Sequence, residues 1–334
     1  MKKPTRIFLL GNLYSLLLVL LRYDDWNNSI FIFTGSINKK IYNNIKKYCL
    51  SFYFKRTYFK NNILNLLNYY FQNIRFAFFR IKHSKLLKSV DTYIGSDHHF
   101  AIFKNFYKKI NKITLIEEGI SNYTSEENIK KYFVGNKINY LIKRFLLLQW
   151  KLRKYIPYGN NSIVDKILLT GLQEIPDHIK DKVEIINMEE MWLSKSESRK
   201  KRINSFFFFE KDLYNKDCTV LLTQPLSEDN LCSEKEKINI YKEIIDKYKH
   251  DNIVIKKHPR EKTNYSKYME GIKVDNNSYP FELLLLNNKT VKRVITLFST
   301  AAYNFRSYAE IIIVGTEDCD FLREKVGVIK SVQI

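Results

Sequence analysis

The chain has 334 residues, 45% hydrophobic, 15% aromatic and 27% charged, a balance that excludes intrinsic disorder and makes two lobes of roughly 150 residues the expectation. Lys and Arg outnumber Asp and Glu by 56 to 35, giving a net charge of +21 that reads as spread along the sequence rather than gathered in one arm. Such an excess suits an anionic partner, whether nucleic acid, a phospholipid surface, a nucleotide sugar or an acidic glycolipid.

Nucleic acid is the least favoured of these and is not expected as a partner, because zinc-finger spacing, an aromatic RNA-binding signature and a recognition helix are all missing from the sequence. Cys49, Cys218, Cys232 and Cys319 form no CxxC and are few for the length, which fits a reducing compartment.

In chain order, Lys2, Lys3 and Arg6 precede an apolar run over 7–21, a pattern that membrane anchors and signal peptides share. The run is broken by Gly11, Asn12 and Tyr14, no small-residue cleavage site follows, and a spanning helix needs about 20 apolar residues. It reads instead as a strand over 6–10, a Gly-Asn turn and a buried helix over 14–21, with the chain expected in the cytoplasm. A strand over 29–34, a helix over 61–72 and a strand over 92–95 follow, the last leading into Ser96-Asp97-His98-His99. Strands over 112–116, 166–170 and 182–186 complete a first lobe. Short apolar runs separated by helical segments are the pattern of a parallel sheet covered on both faces.

Residues 138–156 place Leu141, Phe145, Leu148 and Leu152 at helical intervals among Lys143, Arg144, Lys151, Arg153 and Lys154, with Trp150 between them. A packed helix with a solvated basic side has this pattern, and so does a helix lying on an anionic membrane face. Residues 194–217 are polar and charged apart from Phe206–Phe209, and read as the linker, which divides the chain into domains 1–200 and 201–334. The second lobe alternates again. Strands are expected over 219–222, 252–255, 293–297 and 310–314, with helices over 233–249 and 282–287.

In open α/β sheets, substrates bind in the loops at strand C-termini. Glu117-Glu118-Gly119 follows one such strand and His258-Pro259 another, so the pair suggests a cleft with acid/base machinery between two lobes. Taken singly, acidic turns and lone histidines are ordinary surface features. Ser299-Thr300 precedes Ala301-Ala302-Tyr303-Asn304, a helix start whose hydroxyls and free N–H groups suit a phosphate, or serve simply as a cap. Asp97-His98-His99 is a candidate acceptor contact, but two adjacent histidines are too few to hold a metal. Asp318-Cys319-Asp320 has the form of a DxD metal motif, yet lacks the nucleotide-binding half expected upstream and is read as coincidence. No metal and no cofactor is expected.

Four segments together resemble one family: Ile116-Glu117-Glu118-Gly119, Leu222-Thr223-Gln224-Pro225-Leu226-Ser227-Glu228-Asp229, Lys257-His258-Pro259-Arg260-Glu261 and Phe298-Ser299-Thr300-Ala301-Ala302. In order and spacing they resemble the bacterial lipooligosaccharide sialyltransferases of glycosyltransferase family 52. The resemblance implies an α/β fold of GT-B type, two Rossmann-like lobes with parallel sheets facing an interlobe cleft, the acceptor on the first and the nucleotide sugar on the second. It also implies metal-independent, inverting transfer of sialic acid from CMP-sialic acid to a terminal galactose of a surface glycan. His258 would then be the general acid for the departing nucleotide, a role suited to an imidazole that titrates near neutrality beside a phosphate.

Pro259, Ser299 and Thr300 would contact the donor phosphate side, and Glu282, in Tyr279-Pro280-Phe281-Glu282, would hold the ribose hydroxyls. The family places its base just after the first strand of the second lobe, here Glu228 or Asp229. In relatives of other families the acidic turn supplies it, here Glu117 or Glu118. The pair Glu228/Asp229 is taken as the base, with Glu117, Glu118 and Gly119 shaping the acceptor side. The partners implied are a nucleotide-sugar donor and a galactose-terminated glycolipid acceptor, reached at the inner face of the cytoplasmic membrane. A homodimer is permitted, though no residue demands one. Two alternatives stay open: the same fold with another nucleotide sugar, since some members transfer glucose, and a non-catalytic basic protein that binds membrane or nucleic acid.

Overall fold

The computed structural model describes residues 4–35, 37–55, 62–88, 90–97, 110–134, 157–209, 213–287 and 291–334. The chain divides into two compact units between Lys195 and Ser196. His98, His99 and the basic segment 138–156 lie outside the described residues, as does the side chain of Thr300.

The first unit runs β1 (Arg6–Leu10), α1 (Leu13–Arg22), β2 (Ser29–Gly35), α2 (Lys39–Ile45), β3 (Leu50–Lys55), α3 (Asn62–Lys82), α4 (Ser84–Leu87), β4 (Thr92–Gly95), β5 (Lys112–Ile116), α5 (Glu126–Val134), β6 (Lys166–Leu169), β7 (Val183–Ile185) and α6 (Met188–Leu193). Its sheet has the order β3-β2-β1-β4-β5-β6-β7, with every pairing parallel. In β1 the residues from Ile7 to Leu10 are all fully buried, as a parallel strand covered on both faces requires.

The apolar run over 7–21 is divided by Asn12, whose side chain accepts the Ser15 N–H at 2.8 Å and caps α1. Beyond that cap, every residue from Leu16 to Leu21 is fully buried, each contributing about 2 kcal/mol of apolar burial. The run is strand, cap and core helix. Among the described residues, no helix is long and apolar enough to cross a membrane. Gly95 ends β4 against β1 so tightly that a Cβ there would stand 2.3 Å from the Leu9 carbonyl oxygen.

The second unit runs α7 (Glu197–Phe206), β8 (Cys218–Leu222), α8 (Glu234–Lys247), β9 (Asn252–Lys256), β10 (Lys273–Asp275), α9 (Glu282–Leu286), β11 (Arg293–Thr296), β12 (Glu310–Ile313), α10 (Asp320–Val326) and β13 (Val332–Gln333). Its sheet has the order β10-β9-β8-β11-β12-β13, parallel except for β13 on the edge. Ser233 caps α8 with a reciprocal capping box to Glu236, which fixes where that helix starts.

The linker expected over 194–217 is corrected. Ser196 caps a real helix, α7, and Ile203, Phe206 and Phe207 are fully buried in the second unit. Asn204 and Asn287 exchange side-chain hydrogen bonds of 2.7 and 3.0 Å, and Phe209 packs edge-on against Tyr279. With so few buried positions on an otherwise charged helix, the apolar period was too sparse to be seen.

Candidate active site

In both sheets the strand order reverses beside the first strand of the unit, between β1 and β4 and between β8 and β11. Ligand crevices open at such points, outside the strand C-termini. The candidate residues fall in two groups, one at this edge of each unit.

In the second unit the loops after β8, β9 and β11 carry Thr223–Asp229, His258–Glu261 and Ser299-Thr300. Residues 258–261 form a tight turn, closed by the Glu261 N–H donating to the His258 carbonyl at 3.0 Å. Pro259 occupies its second position, where a fixed φ favours the turn. The Glu261 side chain folds back so that Oε2 accepts the His258 N–H at 2.8 Å, and the same oxygen accepts the Thr223 hydroxyl. One carboxylate therefore ties the His-Pro turn to the loop after β8.

The imidazole of His258 is half-buried, and its Nδ1 accepts the Arg260 N–H at 3.2 Å. The ring's own proton therefore sits on Nε2, the nitrogen left to meet a ligand. Burial first, and then the Arg260 charge, push its pKa down to about 4 against the partial opposition of Asp229 and Glu228. The expectation of an imidazole titrating near neutrality is thus corrected: in the unliganded protein His258 is neutral at pH 7.

Glu228 and Asp229 lie close to this turn, and each is paired with a cation. Glu228 Oε1 accepts the Lys262 N–H at 2.6 Å, and Oε2 accepts Lys237 Nζ at 2.9 Å and the Ser227 hydroxyl at 3.1 Å. Burial raises the Glu228 pKa, but the bonds from Lys237 and the Lys262 N–H outweigh it and leave the carboxyl below its ordinary value. Both Asp229 oxygens are gripped by the Arg260 guanidinium, Oδ2 at 2.8 Å. The Glu228 carboxyl, held below its ordinary value, is poorly disposed to take a proton from a sugar hydroxyl.

Behind them Lys237, on α8 and wholly buried, lies 2.9 Å from Glu228, 3.3 Å from Glu234 and 3.7 Å from Glu261. A buried ammonium is tolerated only when paired in this way. Sequence reasoning missed Lys237 and gave Glu261, though it lies in the His-Pro segment, no role of its own. The capping box at Ser233 was the signal that could have fixed the frame of α8 and turned Lys237 inward.

Glu282, the first residue of α9, is buried, and its Oε1 accepts the Asn304 side-chain amide at 2.9 Å. The segment leading to it is pinned by Asp275, whose Oδ2 accepts the Tyr279 and Tyr214 hydroxyls. Lys256, at the end of β9, lies 3.5 Å from the same carboxylate and 3.9 Å from the Tyr279 ring centre.

Ser299 opens a 3₁₀ helix, Thr300–Phe305, without a side-chain cap, and its N–H donates to the Thr296 hydroxyl at 3.0 Å. The helix expected there is only this short 3₁₀ segment. β9 and β11 flank β8, so at about 4.8 Å per strand the ends carrying His258 and Ser299 are roughly 10 Å apart. Asp318-Cys319-Asp320 forms the entry to α10, with Asp320 paired to Arg323 at 2.5 Å.

In the first unit, Glu117-Glu118-Gly119 leaves β5 at the same sheet edge. Glu117 turns inward and is wholly buried. Its Oε2 accepts the Thr170 N–H at 2.5 Å, the Thr170 hydroxyl at 2.8 Å and the Tyr123 hydroxyl at 3.3 Å. Tyr123 in turn accepts the Gly171 and Leu172 N–H groups at 2.9 and 3.0 Å, so the loops after β5 and β6 are clasped together. Glu117 Oε1 is buried with no hydrogen-bond partner. Burial pushes the Glu117 pKa up to about 7, against the lowering effect of its hydrogen bonds.

Glu118 is only half-buried, and its main chain is held on both sides. Its N–H donates to Asn122 Oδ1 at 2.8 Å, and its carbonyl accepts the Asn12 amide at 2.9 Å. Asn12 therefore ties the turn after β1 to the acidic turn, a role sequence reasoning missed. Gly119 has φ +134° and ψ −158°, a region glycine alone occupies comfortably, and a Cβ there would meet nothing within 4 Å. The conformation, not crowding, demands the glycine. Asp97 is buried and accepts the Tyr158 and Gly159 N–H groups at 2.9 and 3.0 Å, so it braces a turn rather than facing an acceptor.

Two Rossmann-like units with parallel sheets, each with loops gathered at a switch point, define a GT-B protein. The chain is similar in fold to the glycotransferase of kitacinnamycin, at 10% identity and a TM-score of 0.51, covering 97% of this chain and 90% of that one. It also matches UDP-GlcNAc 2-epimerase from Neisseria meningitidis at 14% identity and a TM-score of 0.49, covering 96% and 85%. The chain belongs to glycosyltransferase family 52, whose model matches residues 27–316. An uncharacterised protein of Haemophilus influenzae is 37% identical over 237 residues, covering 70% of this chain and 71% of that protein. The protein is a glycosyltransferase, an enzyme that joins a nucleotide-sugar donor to a glycan acceptor.

Proposed function

We propose that this glycosyltransferase transfers sialic acid from CMP-sialic acid to a terminal galactose of a lipooligosaccharide-type glycan, with inversion and without a metal. The observation that carries the reading is the His258 turn, in which Nε2–H is the ring's available donor and Nδ1 is already occupied by the Arg260 N–H. In the reaction the bond from the sialyl anomeric carbon to the phosphate oxygen breaks, and CMP departs with the electron pair. Nε2–H of His258 donates to that oxygen as its charge grows. The bound phosphate opposes the burial that lowers the ring's pKa, so the imidazole is a better proton donor with the donor in place than without it. Ser299 and Thr300 contact the same phosphate, and Glu282 the ribose.

The base moves from Glu228/Asp229 to the acidic turn. Glu118 takes the acceptor hydroxyl proton as that oxygen attacks, while Glu117, enclosed and clasped to Thr170, holds the turn. This assignment is favoured because both oxygens of Glu228 and of Asp229 are committed to Lys262, Lys237 and Arg260.

Purified protein with CMP-sialic acid and a galactose-terminated acceptor in EDTA is expected to release CMP and form product. His258→Ala should fall roughly 100- to 10,000-fold while melting at the wild-type temperature. A rise in Tm with a UDP-sugar and none with CMP or CMP-sialic acid would overturn the donor assignment.

A further inference from the structure

The helix α3 presents apolar residues on two sides. One side is accounted for by the fold: Phe76 is fully buried, its ring centre 4.8 Å from that of Phe54 in a tilted pair, and Phe79 packs 4.7 Å from Phe52. The other side carries Leu64, Leu67, Phe71, Ile74, Phe78 and Ile81, spaced alternately three and four residues apart. That spacing aligns them as one stripe along the helix. Ile74 is half-buried and the rest face solvent, with Phe71 59%, Ile81 65% and Phe78 68% exposed. A stripe of this length, running about 27 Å from Leu64 to Ile81 within the 21-residue helix, is not the scatter of single exposed hydrophobics that soluble surfaces tolerate.

The charge of the sequence that contains it points to what covers it. Residues 26–90 contain twelve Lys and Arg and no Asp or Glu, so more than half of the net charge of +21 arises from this stretch. The even spread of charge expected from the sequence is thus corrected. Arg75 and Lys82 stand one position beyond Ile74 and Ile81, and Lys85 and Lys88 continue past the end of α3, all four exposed. None of the ion pairs found among the described residues engages them.

We propose that the outward face of α3 is a docking surface for an anionic phospholipid bilayer, with Phe71, Phe78 and Ile81 entering the interface and Arg75 and Lys82 meeting the headgroups. An apolar stripe with cationic flanks is the composition of helices that lie in the plane of a membrane interface. A second copy of the chain is the poorer occupant. Pairing along the same seam would bring Arg75 and Lys82 of one helix against basic residues of the other, with no carboxylate in this stretch to offset them. The surface would hold the enzyme where a lipid-linked acceptor resides, but it does not depend on which sugar is transferred.

The test is co-sedimentation of the full chain with phosphatidylcholine vesicles, with or without about one-third phosphatidylglycerol. The wild type is expected to partition at least about tenfold more strongly onto the anionic vesicles, and to be released by 1 M salt, which shortens the screening length to about 3 Å. Phe71→Ser/Phe78→Ser should lose about tenfold or more of that binding at unchanged Tm. Arg75→Gln/Lys82→Gln, which leaves the apolar stripe untouched, should lose about fivefold per charge. Wild-type binding by both double variants would overturn the proposal. So would light scattering in which Phe71→Ser/Phe78→Ser splits a dimer while vesicle binding stays intact.

Discussion

Two acidic pairs follow strands of parallel sheets in this chain, and the groups that pack around Glu228 and Asp229 differ from those around Glu117. Glu228 and Asp229, beyond β8, are neutralised by Lys237 from α8 and by Arg260 from the turn after β9. Glu117, after β5, is enclosed with one oxygen unbonded and its pKa pushed up to about 7, while Glu118 beside it is half-buried with its main chain held by Asn122 and Asn12. A carboxylate surrounded by cations is held ionised and makes a weak base, whereas one whose pKa lies near the working pH sits at a switching point. The comparison teaches that basicity is decided by what packs around a carboxylate, not by where it falls in a family pattern.

The largest effect on stability should come from the cation that neutralises the second pair. Lys237→Ala leaves Glu228 and Glu261 without their buried counter-charge, and about 3–5 kcal/mol of stability should be lost in urea unfolding at pH 8. At pH 5 the loss should shrink, because the abandoned carboxylates can then protonate. An equal loss at both pH values would mean that packing, not charge, is what Lys237 supplies.

Glu117→Gln probes the other pair. In the folded protein Glu117 titrates at about 7 against an ordinary value of 4.5, so the folded state binds more protons than the unfolded state between those limits. Wild-type stability therefore declines as pH rises from about 4.5 to 7, by on the order of 3 kcal/mol from this group. The uncharged variant lacks that decline. Its stability relative to the wild type should improve by up to that amount between pH 5 and pH 8; a constant difference would contradict the raised pKa. His258 acts in the opposite sense, adding stability as pH rises from about 4 to 6.5, so the difference between the proteins, not the wild-type curve, is the quantity to read.

Arg260→Gln should have the smallest effect. Its ion pair with Asp229 is largely exposed, so stability should change by less than about 1 kcal/mol. The backbone N–H on Nδ1 survives the substitution while a lowering charge is removed, so the His258 imidazole should titrate higher by NMR than in the wild type. A downward shift would break the account of that ring.

Much of the fold was legible because parallel strands are buried on both faces and leave dense β-branched runs. The expected strands over 92–95 and 112–116 coincide with β4 and β5, and β1 was found behind what resembled an anchor. The edge strands β3, β10 and β13 escaped, two of them only two or three residues long and one reading Leu-Ser-Phe-Tyr-Phe-Lys without a turn signal. α7 escaped because its few buried residues sit on a charged helix. At the site, strand ends flagged the acidic turn, His258 and Ser299. Thr170, which clasps Glu117, lies 53 positions away, beyond any local spacing. The cation on Glu228 and the N–H on Nδ1 of His258 are nine and two positions away, and could be placed only through the frame of α8 and the geometry of the His-Pro turn. The stripe on α3 escaped for the reverse reason: helical spacing reveals apolar faces but not which of two the core will bury.

The most direct measurement compares Glu118→Gln with Glu228→Gln for transfer from CMP-sialic acid, with donor binding read separately from the CMP-induced rise in Tm. The account predicts that Glu118→Gln loses transfer by roughly 100- to 10,000-fold with donor binding intact, while Glu228→Gln melts lower but turns over within a few-fold of wild type per folded molecule. Normal transfer by Glu118→Gln, together with lost transfer and retained CMP binding in Glu228→Gln, would contradict it.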